Sequence, residues 1–340
     1  MKKKTRFAFN AYLQQLARLN GVEIEELSSK FTVEPSVQQT LEDQIQQSAA
    51  FLTLINITPV TEQSGQLLGL GVGSTIAGTT DTTTKEREPT DPTLMEDVEY
   101  KCEQTNFDTV LTYAKLDLWA KFQDFQVRIR NAIVKRQALD RIMIGFNGVK
   151  RAKTSNRAEN PLLQDVNKGW LQKIREDAPD HVMGSTTTKD DYANLDAVVM
   201  DAVNELIDAV YQDDDDLVVV CGRELLSDKY FPLVNKEQDN SEKIAADLII
   251  SQKRMGGLQA VRAPFFPANA LLITRLDNLS IYWQEDTRRR SVIDNPKRDR
   301  IENFESVNEA YVVEDYRCAA LVENIEIGDF SAPAAPEGGE

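Results

Sequence analysis

Histidine and cysteine are scarce in this 340-residue chain, and their scarcity limits the chemistry that it can perform. There is one histidine, His181, and the three cysteines, Cys102, Cys221 and Cys318, lie far apart. A serine triad or a histidine-ligated metal site would rest on a single imidazole. None of the cysteines has the C-x-x-C spacing of a zinc or redox site. An exposed loop histidine and free buried thiols in a reducing compartment are the favoured interpretations.

Long hydrophobic runs and a basic charge balance are also missing. The run Leu217–Cys221 is only strand-sized, so we expect no membrane span. The basic start Met1–Lys4 is followed by polar residues where a signal peptide would have its apolar core. The 39 basic residues are outnumbered by 55 acidic ones, which gives a net charge of −16. Such a surface repels phosphate and argues against a general nucleic-acid binder.

Two polar motifs approach known ligand sites without completing them. Gly73–Thr80 resembles a phosphate-binding loop, but Thr79 stands where the lysine is required and no apolar strand precedes it. The run Asp213–Asp216 could hold Mg²⁺ or Ca²⁺, yet consecutive aspartates do not all face one point. A flexible glycine-rich hairpin and a solvated acidic turn are the favoured interpretations. The sequence therefore indicates no catalytic, cofactor-binding or metal-binding residue, and we expect no cofactor.

One basic cluster stands out in the acidic body of the chain. Its members are Arg288, Arg289, Arg290, Lys297, Arg298 and Arg300. The cluster could touch DNA, but in an acidic assembly guanidinium groups pair readily with carboxylates. We therefore expect Arg288, Arg289 and Arg290 to contact an adjacent subunit.

Helical periodicity is clear in three places. Residues 5–20 predict an amphipathic helix that stops at Asn20–Gly21, and residues 195–211 predict a shorter one. A long helix of about 121–146 is predicted between them, ended by Gly145 and Gly148. Segment 1–31 has six basic and three acidic residues, a charge of +3, so the rest of the chain carries −19. A small basic amphipathic segment thus precedes a strongly acidic body.

Residues 61–92 contain five glycines and eight threonines with few large apolar side chains. Such a stretch cannot bury a core of its own, and a structureless loop of this length is uncommon inside a domain. Extended threonine-rich chain suits a β-hairpin, whose exposed edges a neighbour can cover. We therefore expect a long hairpin that a partner subunit completes.

The order of the elements indicates an α+β fold. Helix, hairpin and long helix are followed by an alternating section, and from Leu258 onward the chain is mostly strand. The strands do not alternate with helices as in successive βαβ units, so a doubly wound enzyme fold is not favoured.

A series of short segments extends in order along nearly the whole chain: Thr5–Leu13, Lys30–Val37, Leu116–Trp119, Asp124–Gln126, Arg128–Ile133, Asp228–Pro232, Asn235–Glu242, Ile249–Arg254 and Tyr311–Tyr316. Together these segments resemble the major capsid proteins of Peduovirus-type tailed phages. The loop 184–190 is short and the tail after Phe330 diverges from the family pattern. Both departures concern the surface and not the fold.

The resemblance implies the capsid fold shared by tailed phages and herpesviruses, with an N-terminal arm, an extended hairpin loop, a peripheral domain and an axial α/β domain. The implied ranges are 1–31 for a removable segment, 32–60 for the arm, 61–101 for the hairpin loop over a neighbour, 102–191 with 301–327 for the peripheral domain that holds the spine helix, 192–300 for the axial domain and 328–340 for a flexible tail.

The resemblance also implies partners and a processing step. Copies of the chain would form hexamers and pentamers in a shell, together with a scaffolding protein that is also a protease, a portal protein and weakly contacted double-stranded DNA. Processing would cut between Phe31 and Thr32, and the hairpin glycines Gly69, Gly71 and Gly73 would lie in inter-subunit contacts. The basic segment 1–31 is expected to engage the scaffold. No membrane and no covalent cross-link is implied.

A different class of function stays open on the residues alone. An acidic, soluble, oligomeric enzyme could use aspartate or glutamate chemistry that the sequence does not pinpoint, because 55 acidic residues make paired carboxylates uninformative. The threonine- and glycine-rich hairpin favours the shell protein, since an enzyme has little use for it.

Overall fold

The computed structural model describes residues 1–68, 71–72, 77–89, 93–94, 97–119, 125–184, 192, 194–227, 229 and 253–326. Its α-helices are α1 (Lys3–Asn20), α2 (Pro35–Gln47), α3 (Tyr113–Trp119), α4 (Phe125–Asn147), α5 (Trp170–Asp177) and α6 (Leu195–Leu206). Its strands are β1 (Phe31–Thr32), β2 (Asn56–Val60), β3 (Ser64–Leu68), β4 (Gly71–Val72), β5 (Thr93–Leu94), β6 (Asp97–Lys101), β7 (Glu103–Asn106), β8 (Thr109–Thr112), β9 (Val182–Met183), β10 (Leu217–Cys221), β11 (Arg254–Met255), β12 (Leu258–Arg262), β13 (Leu271–Arg275), β14 (Leu279–Gln284), β15 (Arg289–Asn295), β16 (Arg300–Val313) and β17 (Ala319–Val322).

The chain forms two compact units. The first comprises Met1–Trp170 and Asp277–Asp315, and the second comprises Leu171–Leu276 and the chain from Tyr316 onward. Strands β14 and β15 pair in the sheet of the first unit, whereas β17 pairs in the sheet of the second. Strand pairing, and not the position of a residue along the chain, decides the unit to which it belongs.

The first unit is built on a seven-stranded sheet in the order β1-β15-β16-β14-β2, with β7 and β8 also paired to β16. The β2–β14 pair is parallel and the others are antiparallel. Strand β16 has 14 residues and joins four other strands. The sequence predicts a strand only over the apolar segment Ala310–Asp315, so β16 is much longer than predicted. Its first half is polar, and polar residues there gain their strand conformation from neighbours on both edges.

The second unit contains a six-stranded sheet in the order β11-β12-β10-β13-β17-β9. Every residue of β10 is buried, as its β-branched run predicts. Helix α6 packs Val198, Val199 and Ala202 into the same core as β10. The predicted helix 195–211 is wrong at its end, because Ile207 has an extended conformation. Asp208 then starts a turn, in which its carboxylate accepts a hydrogen bond from Val210 N.

The predicted hairpin is present. Strand β3 pairs antiparallel with β6, from Ser64 opposite Lys101 to Leu68 opposite Asp97, and β4 pairs antiparallel with β5 farther out. Opposite Tyr100, Gly65 has no room for a side chain, since a Cβ there would lie 2.9 Å from a ring carbon. A tyrosine therefore covers the base of the hairpin.

The two long helices of the first unit end differently from one another. Helix α1 stops as predicted, with Gly21 in the left-handed conformation at φ 63°. Helix α4 confirms the predicted long helix within the described residues, but Gly145 lies inside it and does not end it. Its role is close packing, because a Cβ on Gly145 would lie 2.2 Å from a ring carbon of Trp170. The Trp170 ring in turn packs edge-on against Tyr311, at 5.5 Å between ring centroids.

The three cysteines are buried, as expected, and none of them forms a disulfide. Within the ranges described above, no helix combines the length and the apolar character that a bilayer crossing requires.

Candidate processing site and the segments that flank it

The predicted cut between Phe31 and Thr32 falls inside strand β1. Phe31 lies opposite Arg290 and Thr32 opposite Arg289, in an antiparallel pair with β15. The ladder continues past the cut, where Val33 N donates to the Arg288 carbonyl at 2.9 Å. Phe31 is 9% exposed. A protease that binds an extended substrate needs free backbone edges, so β1 has to leave β15 before this bond can be cut.

On the amino-terminal side of the cut, α1 is held by an apolar cluster. The cluster joins the N-terminal segment to α3, β15 and β16, and its buried members are Phe9, Leu16, Ala17, Leu27, Phe31, Val33, Leu116, Val292 and Ile301. Because the members lie on both sides of residue 31, the segment and the body bury surface for each other.

Polar contacts orient the same helix. Arg6 forms an ion pair with Asp294, which also accepts a hydrogen bond from the Tyr113 hydroxyl. The hydrogen bond that Arg6 donates to Asp294 raises the pKa of the Arg6 guanidinium, and burial raises the pKa of the Tyr113 hydroxyl. Arg290 Nη2 donates to the Tyr12 hydroxyl at 2.8 Å. The first turns and the middle of α1 are thus fixed to β15.

The outward face of α1 is basic and carries an exposed aromatic ring. Phe7 is 75% exposed, although Phe9, two residues farther along, is 6% exposed. Lys3 and Lys4 lie one turn before Phe7 on the exposed face, and Arg18 lies three turns after it. No acidic residue occurs between positions 1 and 22. This face therefore combines an exposed apolar ring with basic side chains and no acidic ones.

On the carboxyl-terminal side of the cut, a buried ion cluster holds α2. Glu42 of α2 accepts hydrogen bonds from Arg141 of α4, at 2.6 Å and 3.2 Å, and from Arg288. The side chains of Arg141 and Arg288 are fully buried and that of Glu42 is 2% exposed. The chain after the cut is thus also held by contacts that the chain before the cut does not share.

Two carboxylates of β16 complete the cluster. Arg141 donates to Glu309 Oε1 from Nε at 2.8 Å and from Nη2 at 2.5 Å. Arg288 donates to Glu305 Oε1 from Nε at 2.9 Å and from Nη2 at 2.6 Å. The amide oxygen of Gln137 accepts a further bond from Arg288 Nη2 at 3.1 Å. The cluster joins α2, α4 and β16 through buried, charge-assisted hydrogen bonds.

The three carboxylates titrate differently because their partners differ. Burial alone would raise the pKa of Glu42, but the charges of Arg141 and Arg288 outweigh burial and lower it. Burial acts on Glu305 in the same way, and Arg288 and Arg290 lower its pKa. Burial raises the pKa of Glu309, and the attraction of Arg141 offsets only part of that effect. Glu309 is therefore the carboxyl group that most resists ionisation.

Two arginines of the basic cluster have partners within their own chain. Arg288, which is predicted to contact an adjacent subunit, is fully buried and pairs with Glu42 and Glu305. Arg290 bonds to Asn303 and Tyr12 of its own chain. Arg289 is exposed and stays a prediction for an inter-subunit contact.

The other predicted positions are spread over the molecule. Gly71 lies in β4 of the hairpin, while Gly69 and Gly73 fall outside the described residues. His181 closes a short 3₁₀ helix and is half-buried, which corrects the expected exposed loop position. In the acidic turn, Asp214 pairs with Arg275 at 3.1 Å. Among the described residues, no group of three or more His, Cys, Asp or Glu side chains could hold a metal ion.

Sequence reasoning missed the ion cluster, although a signal for it exists. Arg141 lies between apolar residues that are buried on α4, and Glu309 lies between Val307 and Ala310 on an apolar strand. Charges of opposite sign inside apolar runs indicate buried pairs, because an unpaired buried charge is strongly unfavourable. The signal does not say which charges meet.

The sequence was compared with those of known proteins. Residues 8–325 match the family described as phage major capsid protein, P2 family. The chain is 58% identical over 349 residues to a protein of Escherichia phage P2 named as capsid proteins, with 98% of each covered. It is 40% identical over 353 residues to the major capsid protein of Serratia phage KSP20, with all of each covered.

Solved structures give the same result for the fold. A chain from the procapsid of satellite phage P4, a structure that includes the size determination (Sid) protein, superposes with a TM-score of 0.80 at 54% identity, covering 97% of this chain and 100% of that one. A capsid chain from an empty GTA particle superposes with a TM-score of 0.51 at 15% identity, covering 82% and 90%, a likeness of fold alone. The α+β capsid fold that the sequence predicts is confirmed.

Proposed function

The chain belongs to the P2 family of phage major capsid proteins, and we propose that its copies form hexamers and pentamers of an icosahedral shell around the double-stranded DNA of a tailed phage. As a major capsid protein, it is a structural component of the virion. The observation that carries the proposal is the match over nearly the full chain to a procapsid subunit, at 54% identity and a TM-score of 0.80.

The hairpin supplies the contact between subunits. Its strands β3 and β6 pair only with each other, so the described part of the hairpin presents backbone edges that a neighbour can cover. We expect residues 61–101, including Gly69, Gly71 and Gly73, to lie over an adjacent subunit, with Arg289 at a second contact. Residues 102–191 with 301–327, which include the long helix α4, would form the peripheral domain, and residues 192–300 would form the axial domain.

Processing between Phe31 and Thr32 would separate two segments whose main contacts differ. The apolar cluster around Phe9 and Leu16 holds the chain before the cut, and the buried pairs of Glu42 hold the chain after it. A cut at this boundary can release the first segment without detaching the arm. The protease is expected to be the internal scaffolding protein, and strand β1 has to open before cleavage.

The outward face of α1 is the expected contact for that scaffolding partner. Phe7 offers an apolar anchor, and the flanking Lys3, Lys4 and Arg18 favour an acidic partner. Phe7→Ala, with Met200→Ala as the control for an exposed apolar side chain elsewhere, tests the contact in a pull-down with the purified scaffolding protein. Loss of binding with Phe7→Ala alone is expected, and equal binding by both variants would contradict the contact.

The charge change on processing suits a container for DNA. Removal of segment 1–31, with its charge of +3, leaves a body of −19. A surface that repels phosphate lets a packaged genome slide with only weak contacts. A portal protein would replace one pentamer for DNA entry, and assembly would take place in the host cytoplasm.

Co-expression with the scaffolding protein tests the proposal as a whole. Negative-stain electron microscopy is expected to show uniform hollow shells, and mass spectrometry is expected to show subunits that begin at Thr32. Small closed oligomers of full-length chains would contradict it and favour the acidic oligomeric enzyme instead. Sedimentation separates the two outcomes before imaging.

A further inference from the structure

The buried ion cluster contains more carboxyl groups than guanidinium groups. Glu42, Glu305 and Glu309 face Arg141 and Arg288, and none of the five side chains belongs to a residue more than 4% exposed. With every group ionised, the cluster would hold one negative charge in excess. An uncompensated buried charge is strongly unfavourable.

Hydrogen bonding distinguishes the three carboxyl groups. Both oxygens of Glu42 accept from guanidinium groups, and Glu305 accepts two bonds from Arg288. Glu309 accepts through Oε1 alone, and its buried Oε2 has no hydrogen-bond partner among the described residues. A bare, buried oxygen on an ionised carboxylate loses its hydration without replacement.

The surroundings of Glu309 supply little further positive charge. Several elements pack around Glu309 and carry charged or titratable side chains. These are Glu42 from α2, Asp140 and Arg141 from α4, Arg288 and Arg290 at β15, and Glu305 and Tyr311 from β16. Asp140 pairs with Arg136, and burial raises the pKa of the Tyr311 hydroxyl, which stays neutral. The charge of Arg290 stabilises the ionised form of Glu305. Glu309 pairs with Arg141, but Arg141 also pairs with Glu42.

We propose that Glu309 carries a proton on Oε2, and that this proton makes the cluster a latch between α2 and the subunit body. With Glu309 protonated, Arg141 and Arg288 balance Glu42 and Glu305. Loss of the proton would add a negative charge that competes with Glu42 for Arg141. Because Glu42 is the member of the cluster on α2, that competition would loosen α2. The proposal is independent of the assembly partners and of the cut.

Glu309→Gln tests the protonation state, since an amide imitates a protonated carboxyl group. Between the ordinary pKa of 4.5 and a raised folded-state pKa, the unfolded wild type releases the proton and the folded wild type keeps it. The folding constant of the wild type should therefore fall relative to that of the variant, by up to tenfold per pH unit, and the ratio should level off above the folded-state pKa. Protonation of Glu42 and Glu305 also destabilises the folded chain, but only below pH 4.5, because the pKa values of both groups are lowered. That effect is therefore separate from the one measured here.

Urea unfolding of both full-length chains from pH 4.5 to pH 9 measures that ratio. Glu302→Gln is the matched control, because Glu302 lies on the same strand and forms a partly exposed pair with Arg300 outside the cluster. A ratio that is constant across this range, or one that moves in favour of the wild type as pH rises, overturns the proposal.

Hydrogen exchange of the α2 amides tests the latch itself. After correction for base catalysis, the exchange of α2 amides should increase at alkaline pH in the wild type and stay constant in Glu309→Gln. Equal exchange in both chains at every pH overturns the link between the proton and α2.

Discussion

Arg288 donates a hydrogen bond to Glu42 across 246 positions of the chain, with both side chains excluded from solvent. The backbone carbonyl of the same arginine accepts from Val33 N, immediately after the predicted cut. One residue immediately before β15 therefore holds the chain beside the predicted cut by its main chain and helix α2 by its side chain.

The first prediction concerns this ion pair. Glu42→Gln should lower the free energy of unfolding by about 3–5 kcal/mol, because it leaves two buried guanidinium groups without a shared counter-charge. The neighbouring Asp43 is exposed on α2, so Asp43→Asn is the matched control and should change stability little. Urea denaturation of the full chain measures the free energy of unfolding of both variants. Equal changes in the two variants would show that burial of the ion pair does not matter for stability.

The second prediction concerns the contact between Gly145 and Trp170. Gly145→Ala should destabilise the subunit by about 1–3 kcal/mol, even though alanine favours a helix over glycine by about 1 kcal/mol. The new Cβ would lie 2.2 Å from the indole ring, whereas a Cβ on Gly78 meets nothing within 4 Å. Thermal unfolding of Gly145→Ala and Gly78→Ala compares the two, and a stabilised Gly145→Ala chain would refute the packing argument.

The third prediction concerns access to the cut. Phe9→Ala should remove about 3–5 kcal/mol of packing, free α1 and speed cleavage after Phe31. Phe7→Ala alters a ring that is 75% exposed, compared with 6% for Phe9, and should leave the rate unchanged. Brief chymotrypsin treatment, with mass spectrometry of the product that begins at Thr32, measures the rate. The opening of β1 is not limiting if the two variants are cut at the same rate.

The fourth prediction concerns the thiol of Cys221, which is fully buried in β10. Burial raises the pKa of this thiol to about 11, so the reactive thiolate is scarce at pH 8. We expect no reaction with a disulfide reagent in the folded chain and rapid reaction in urea. Mass spectrometry of the Cys221 peptide after labelling checks this prediction. Labelling of the folded chain would indicate that the six-stranded sheet of the second unit opens.

The elements that the sequence predicts well are those whose pattern is local. Helices α1 and α4 repeat apolar residues at helical spacing, and the hairpin is rich in threonine and glycine. The ion cluster was not predicted, because Arg141 meets Glu42 and Glu309 over 99 and 168 positions. The polar start of β16 was missed for the same reason, since its strand partners are distant in sequence.

The position of β16 has a consequence for synthesis on the ribosome. Four strands of the first sheet, β7, β8, β14 and β15, pair with it, and it comes last among them in the chain. The first 170 residues therefore leave the exit tunnel long before the strand that completes their sheet. Their apolar faces stay uncovered in the nascent chain until Val313 has emerged, so the first unit completes its fold only after that point.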